Sequence, residues 1–283
     1  MLEGIKPAPV DGPRLRVVAA ALEGYRFTFR NAGTASKLIL LPVLCITVVH
    51  FALSGFAPPP KDIVAAADTW ALAALGELTA MILLIPAVLV AWQRRILLGR
   101  EHARMRFGRR EGRMLVTLLL LGLMVFLGIM AATMLAETLA GLAGAATSER
   151  MVDAMIVATN LATAYVTGRL YFLLPPRALD RKLSIGEAWQ MSAGYGMHLM
   201  AIVVLAGIPV AVLSQIVAGV AAVALENGAM ALLVGANLTG SILFMFSLLV
   251  EAAALTICYA ALGGIEDVLE VQAAEAQPVA APA

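Results

Sequence analysis

Three glutamates lie inside long apolar runs of this 283-residue chain, where their chemistry contrasts most sharply with their surroundings. They are Glu77, Glu137 and Glu251, and two amides, Asn160 and Asn237, lie in other apolar runs. Ionisable groups inside a membrane are costly and often form proton relays or ion sites. The alternative is structural, because a protonated glutamate also hydrogen-bonds neighbouring helices. The sequence alone leaves both interpretations open.

A second concentration of charge is the segment 94–113, which holds eight arginines and only two glutamates. The arginines are Arg94, Arg95, Arg100, Arg104, Arg106, Arg109, Arg110 and Arg113. Each such charge costs about 2.5–3.5 kcal/mol at a bilayer centre, so the segment must stay on one side, which an excess of Lys and Arg marks as cytoplasmic. Basic residues also contribute about 1 kcal/mol each to binding an anionic membrane surface. We therefore expect the segment to set topology, to bind anionic lipid, or both, and we expect no nucleic-acid partner.

Patterns for catalysis, metal binding or a cofactor are not found in the sequence. His50, His102 and His198 lie in separate regions without the spacing of metal ligands. Cys45 and Cys258 both lie in apolar runs. No glycine-rich phosphate loop followed by Lys and Ser or Thr is present. We therefore expect no metal, no cofactor and no catalytic residue, and a non-enzymatic protein is favoured.

Composition places the chain among integral membrane proteins. Hydrophobic residues make up 61% and charged residues 14%, and the mean hydropathy is +0.90. Soluble domains carry about 45–50% apolar and about 25% charged residues. The first 34 residues lack a short apolar core with a cleavage site, so no signal peptide is expected. The alanine-rich and arginine-rich composition suggests a bacterial protein.

Six apolar runs are each long enough to cross a bilayer, whose core of about 30 Å needs about 20 helical residues. They cover residues 38–57, 69–92, 114–140, 153–174, 199–224 and 233–262. Of the 20 basic residues, 18 fall in the three blocks 6–37, 94–113 and 169–182. An even number of spans puts all three blocks on one side. We predict a multi-pass protein of the bacterial inner membrane with both termini cytoplasmic.

The predicted fold is an all-α domain over residues 14–264, built from three hairpins. Each hairpin follows a polar or amphipathic cytoplasmic segment, namely 14–36, 96–112 and 183–197. Residues 1–13, with three prolines, and the acidic tail, 265–283, are predicted to be disordered.

Two of these segments predict helices at the membrane interface. In the first, the charged residues and an apolar set occupy separate arcs of a helical wheel. The apolar set is Val18, Leu22, Tyr25 and Phe29. In the third, Ser184 and Glu187 have the spacing of a capping box, which predicts the start of a helix that carries Trp189.

The end of the fourth span carries two further predictions. Pro175 and Pro176 are expected to end the helix, because proline lacks the amide that would continue it. Arg169, shortly before them, is expected to extend towards the lipid head groups. The alternative is that Arg169 pairs with a nearby carboxylate such as Asp180.

Residues 168–189, from Gly-Arg-Leu-Tyr-Phe through Leu-Leu-Pro-Pro-Arg to Glu-Ala-Trp, resemble a passage in other proteins. These are poorly characterised bacterial six-span proteins related to the membrane domain of glycerophosphoryl-diester phosphodiesterases. The resemblance covers these 22 residues and, loosely, the plan of hairpins. It implies a multi-span helical domain of the inner membrane. The sequence shows no phosphodiesterase catalytic domain, so that activity is not expected.

Two classes of function remain. The first is a non-enzymatic membrane protein that binds lipids or partner proteins, favoured by the arginine segment and the amphipathic segments. The second is a small transporter, flippase or channel that uses Glu77 and Glu251. A cavity that reaches either glutamate would favour the second class, whereas a tightly packed core would favour the first.

Overall fold

The computed structural model describes residues 16–54, 63–99, 102, 104–143, 149–264, 266 and 268–270. Every regular element in this part of the chain is helical, and it contains no β-strand. The α-helices are α1 (Val17–Arg30), α2 (Ala32–Ser54), α3 (Ile63–Leu98), α4 (Arg109–Ala143), α5 (Glu149–Leu170), α6 (Leu174–Ala178), α7 (Ile185–Met191), α8 (Gly196–Glu226) and α9 (Met230–Tyr259). A 3₁₀ turn, Tyr171–Leu173, precedes α6, and a π-helical segment, Ala260–Gly264, follows α9. The predicted all-α class is confirmed for these residues.

Five helices contain a stretch that is long and apolar enough to cross a bilayer, which indicates a membrane protein. The stretches are Ala32–Leu53, Ala74–Leu98, Arg109–Met134, Gly196–Ala224 and Met230–Gly264. The fourth predicted span corresponds to α5, which is not among them because it carries Asp153, Asn160 and Arg169 as well as several threonines. Its length is not the reason, since 22 helical residues extend about 33 Å. The sixth span therefore remains a prediction.

The outer faces of these helices are apolar. On α4, the exposed fraction is 55% for Leu120, 52% for Leu123 and 58% for Phe126. Contiguous apolar surface on this scale is rare in proteins surrounded by water. A hydrocarbon environment accounts for it.

The core is built around α9, against which α8, α1, α2 and α3 pack. Between Leu249 and Tyr259 nearly every side chain of α9 is buried. Trp92, near the end of α3, is fully buried and its indole Nε1 donates to the Leu249 carbonyl at 2.8 Å. Phe172 packs edge-on against Tyr259 with ring centroids 5.8 Å apart. These two contacts attach the end of α3 and the turn after α5 to α9.

Helix α1 has three faces, each about a third of a turn from the next. The buried face consists of small side chains, namely Ala20, Ala21, Gly24 and Thr28. The apolar face is exposed and includes Val18, Leu22 and Phe29. The charged face carries Arg26 and Arg30, which lie 3.8 Å and 3.9 Å from Glu23. A helix docked by one face, with an apolar and a charged face left over, has the pattern expected at a membrane interface.

The arginine segment is not a single loop. Helix α3 continues past the predicted end at 92 and includes Arg94 and Arg95, while α4 begins before 114, at Arg109. The predicted spans followed the apolar runs, and the helices extend beyond them because arginine has a high helix propensity. The described residues between the two helices, which are 99, 102 and 104–108, form no α-helix. The two ends of the middle segment, 96–98 and 109–112, therefore belong to α3 and α4, and its described central residues form no α-helix.

Pro175 and Pro176 do not end the fourth long helix. Helix α5 ends earlier, at Leu170, and the two prolines lie in the first turn of α6. Proline suits this position because the first amides of a helix have no acceptor within it. The prediction was wrong because proline is common both just after a helix ends and in the first turn of a new helix, and the sequence does not distinguish the two cases.

The capping box before α7 is confirmed. The Glu187 amide donates to Ser184 Oγ at 3.2 Å, and the Ser184 amide donates to Glu187 Oε2 at 2.7 Å. Helix α7 begins at the next residue, Ile185. This local motif starts the helix that brings Trp189 to the end of α5.

The two predicted disordered ends lie mostly outside the described residues. Residues 268–270 are nevertheless helical, and Val268 is buried in a small apolar cluster. Arg181 pairs with Glu270 on the same segment. The prediction of disorder from residue 265 was therefore wrong for the start of the tail, where one apolar side chain and one ion pair dock the chain.

Candidate functional site

Hydrogen bonds and ion pairs bring several helix ends together at one end of the bundle. Arg95, on α3, donates from Nη2 to Asn31 Oδ1 at 2.5 Å, just before α2. Arg110, at the start of α4, pairs with Asp180, just after α6. Arg169, at the end of α5, reaches α7. We call this region, which comprises these three arginines and the helix ends that they join, the arginine end.

Arg94 and Arg95 point into the protein, and each is only 8% exposed. Arg94 Nη1 donates to the Ala178 carbonyl at 3.2 Å. Gln93, beside them, is fully buried and donates to the Tyr171 hydroxyl at 3.0 Å. These two arginines hold α3 against α6 and against the junction of α1 and α2. They were predicted to set topology, to bind anionic lipid, or both, and the structure shows their side chains almost entirely buried.

The other described arginines of the segment face outwards. Arg104, Arg106 and Arg109 are exposed, and Arg100 lies outside the described residues. Arg110 and Arg113 share the Asp180 carboxylate, with 3.6 Å between Arg113 Nη1 and Asp180 Oδ1. Asp180 and Glu111 do not balance these five arginines, so the surface is net positive. The predicted basic surface is therefore present, but it is smaller than the sequence suggested.

A groove with a volume of about 420 Å³ opens beside the start of α4, and we call it the basic groove. It is lined by Arg109, Gly112, Arg113, Val116, Thr117, Leu120 and Arg177. Arginines form its rim and apolar residues continue from it along α4. Arg177 Nε is buried without a hydrogen-bond partner in the described part of the chain. Arg177 was not among the arginines predicted to bind lipid or set topology, because only the fold brings α6 beside α4.

Arg169 neither reaches outwards nor pairs with Asp180, so both alternatives predicted for it are wrong. It is 7% exposed, and its guanidinium carbon lies 3.5 Å from the ring centroid of Trp189. Its Nε donates to Ser192 Oγ at 3.0 Å, and its Nη2 donates to the Trp189 carbonyl at 2.5 Å. Neutral acceptors and an aromatic face satisfy the cation. Arg169 thereby attaches α7 to the end of α5.

Glu77 contacts His50 across the interface of α2 and α3. The His50 side chain is 16% exposed and that of Glu77 is 25% exposed. Glu77 precedes Arg95 by 18 residues, which corresponds to about 27 Å of helix. The pair therefore lies far from the arginine end. From the sequence, His50 was expected to lie apart from other functional groups. Its separation of 19 residues from Asn31 nevertheless matches that of Glu77 from Arg95, the partner of Asn31, so the two side chains lie at a similar depth.

Glu251 lies where α9 faces α8 and α1. It accepts a hydrogen bond from Ser247 Oγ at 2.9 Å, one turn earlier on α9. A Cβ at Gly207 on α8 would lie 3.6 Å from its Oε1. Tyr25 on α1 donates to the Ala206 carbonyl at 2.7 Å, and burial, followed by the nearby Glu251 charge, raises the pKa of Tyr25 above its usual range. Glu251 thus lies near the place where α1 and α8 meet, whereas its described hydrogen bond is within α9.

The remaining polar candidates do not join these sites. Asn160 is exposed on α5. Asn237 is half-buried, and its Oδ1 has no hydrogen-bond partner among the described residues. The Glu137 side chain lies outside the residues whose side chains are described. Neither Glu77 nor Glu251 lines the basic groove or the two further grooves, which adjoin α4 on its α3 and α5 sides.

The described residues contain no group of three His, Cys, Asp or Glu side chains that could hold a metal ion. The geometry instead offers a basic groove that suits an anion and two separate intramembrane carboxylates. Comparison of the chain with protein-family models, with curated proteins and with solved structures found no match.

Proposed function

We propose that this chain is a non-enzymatic, multi-pass membrane protein that binds anionic phospholipid at its arginine end. The observation that carries the proposal is the basic groove, where exposed arginines adjoin an apolar helix face. An anionic phospholipid has the complementary arrangement of a charged head group and apolar chains. The same class of non-enzymatic function includes a membrane protein that binds a partner protein through this surface.

The proposed topology is six spans with both termini on the cytoplasmic side of a bacterial inner membrane. In support, the start of α2 meets the end of α3, and the start of α4 meets the chain after α5 and α6. The end of α5 meets α7, which precedes α8. Alternating directions of this kind support a crossing by α5, although it is the most polar of the long helices. Basic residues at the end where these contacts gather favour a cytoplasmic location.

The test is the lipid that remains bound when the protein is extracted gently from its own membrane. Lipid analysis of the purified protein is compared with analysis of the bulk membrane. We expect anionic phospholipids to be enriched over zwitterionic ones, and the enrichment to decline as salt rises, because exposed charges are screened. Bound lipid with the composition of the bulk membrane would reject the proposal.

A transporter, flippase or channel is the second candidate, and the contact between His50 and Glu77 favours it. A histidine and a carboxylate at membrane depth could exchange a proton. Against this, the three grooves around α4 do not include either Glu77 or Glu251, and the core around α9 is closely packed. The pair also lies near the membrane face opposite the arginine end, where a structural hydrogen bond is sufficient explanation.

Proteoliposomes that carry a pH gradient separate these alternatives. We expect the wild type, Glu77→Gln and Glu251→Gln to dissipate the gradient at the rate of empty liposomes. Faster dissipation by the wild type that is lost in Glu77→Gln would establish the second candidate. Both variants should remain folded, because glutamine keeps the size and a hydrogen-bonding group of each side chain.

A further inference from the structure

We infer that one phospholipid molecule occupies a continuous site along α4, with its phosphate in the basic groove and an acyl chain in the groove between α4 and α5. This inference rests on the proposed lipid binding and specifies its position and stoichiometry. The site uses residues from α4, α5 and α6, which are far apart in sequence. It therefore differs from general attraction to an anionic surface.

The head-group end is formed by Arg109, Arg113 and Arg177. Arginine presents a planar set of donors that matches the oxygens of a phosphate. Arg177 Nε is buried and lacks a partner within the described structure, and such a donor is costly unless a ligand accepts from it. Arg113 is only weakly engaged by Asp180, at 3.6 Å. A phosphate in the groove would satisfy the free donor and balance the excess positive charge.

The acyl-chain end is a second groove, with a volume of about 330 Å³, between α4 and α5. It is lined by Met124, Val125, Gly128, Ala132, Ala158, Thr159, Ala162, Thr163 and Val166. The small side chains leave room for one extended chain. Its lining is almost entirely apolar, so a hydrocarbon chain suits it better than a charged group.

The two grooves follow one another along α4 and are connected by a stripe that turns gradually around the helix. Val116, Leu120, Met124 and Gly128 recur every four residues, and this spacing places them on one slowly turning stripe. About 18 Å of helix separates Val116 from Gly128. One leaflet of hydrocarbon is about 15 Å deep. The stripe therefore has the length that a phospholipid needs to place its phosphate at one groove and its chain in the other.

Native mass spectrometry of the full-length, delipidated protein in detergent tests the inference. The probes are dioleoyl phosphatidylglycerol, dioleoyl phosphatidylcholine and inorganic phosphate. We expect one high-affinity phosphatidylglycerol per chain. Because a tenfold change in affinity corresponds to about 1.4 kcal/mol and a hydrogen bond to a charged group contributes that much or more, Arg109→Gln and Arg177→Gln should each weaken it by about tenfold.

Matched control variants separate the site from general effects. Arg104→Gln removes an exposed arginine that does not line the groove, and its affinity should stay within about twofold of the wild type. Gly128→Leu places a side chain in the acyl groove, whereas Gly122→Leu places one elsewhere around α4, at a position that lines neither groove. A Cβ at either glycine meets no atom within 4 Å, so both variants should fold. Only Gly128→Leu should weaken lipid binding.

Each alternative outcome rejects a different statement. Equal retention of phosphatidylglycerol and phosphatidylcholine by the wild type would reject the proposed function itself. A preference for phosphatidylglycerol that Arg104→Gln reduces as much as Arg109→Gln and Arg177→Gln would leave lipid binding in place and reject the discrete site. Inorganic phosphate that binds as tightly as the lipid, with no effect of Gly128→Leu, would assign the basic groove to a free anion.

Discussion

Helix α1 approaches α9 closely at Gly24, so a methyl group there should loosen the docking of α1. A Cβ at this position would lie 2.9 Å from Ala254 Cβ and 2.9 Å from the Val250 carbonyl oxygen. Optimal separations between such atoms are about 3.5–4.0 Å. Since the carbonyl oxygen belongs to helix backbone, it cannot rotate away. We predict that Gly24→Ala moves α1 outwards by a fraction of an ångström and destabilises the protein.

The magnitude follows from two opposing contributions. Alanine stabilises a helix interior by about 1 kcal/mol relative to glycine. Overpacking a close contact costs about 1–3 kcal/mol. At Gly122, where a Cβ meets no atom within 4 Å, only the first contribution applies. Gly24→Ala should therefore be less stable than Gly122→Ala by about 1–3 kcal/mol, which corresponds to roughly 5-fold to 150-fold in the unfolding equilibrium.

The assay is reversible unfolding of both variants by SDS in mixed micelles, followed by circular dichroism. The change Ala254→Gly removes one of the two close atoms and leaves the Val250 oxygen, but it also loses the helix-forming preference of alanine within α9. It should therefore cost less stability in the Gly24→Ala background than in the wild type. A Gly24→Ala protein at least as stable as Gly122→Ala would refute the packing argument. An Ala254→Gly change that costs as much in the Gly24→Ala background as in the wild type would show that the methyl contact is not the cause.

Four further predictions concern the arginine end. Ser184→Ala should destabilise α7 by about 1 kcal/mol through loss of the capping box, measured as greater protease sensitivity of this segment. Hydrogen bonds from the backbone amide and side chain of Ser184 hold the pKa of Glu187 below its usual range. The stabilisation by the Glu187 carboxylate is therefore complete above the unfolded pKa of about 4.3 and is lost as the pH falls through the folded pKa. Loss of stability on raising the pH would contradict this prediction. Arg169→Gln should cost about 2 kcal/mol or more, because a stacked and hydrogen-bonded cation disappears from the contact between α5 and α7, and a melting temperature equal to wild type would contradict it. Asn31→Ala should cost about 1–3 kcal/mol in thermal or SDS unfolding by removing one acceptor of the buried Arg95 guanidinium, and Asn31→Asp, which keeps an acceptor, should cost less.

The sequence predicted the parts of this fold that depend on neighbouring residues. The long apolar runs predicted the positions of the long helices, because a membrane helix buries its backbone groups within itself. The capping box before α7 was found because its donors and acceptors lie three residues apart. The end of α3 and the start of α4 lie beyond the predicted spans, because hydropathy shows where a helix is apolar and not where its backbone hydrogen bonds stop.

The candidate site was predicted only in part. Arg109 and Arg113 were selected by charge and lie in the basic groove, but Arg94 and Arg95, selected by the same criterion, point into the protein. Arg177 was not selected, although it completes the groove. A basic segment shows where positive charge is concentrated along the chain. The direction of each side chain, in contrast, depends on which helices pack beside it.

The sequence by itself determined that the chain is helical, apolar and basic in three blocks, because hydrophobicity, helix propensity and charge are properties of consecutive residues. Only the tertiary structure decided that His50 faces Glu77, that Trp189 covers Arg169, and which arginines remain at the surface. Those contacts join positions 20 to 64 residues apart. The physical reason is that apolar helices have many faces of similar hydrophobicity, so close packing between small residues, rather than hydropathy, selects the faces that meet.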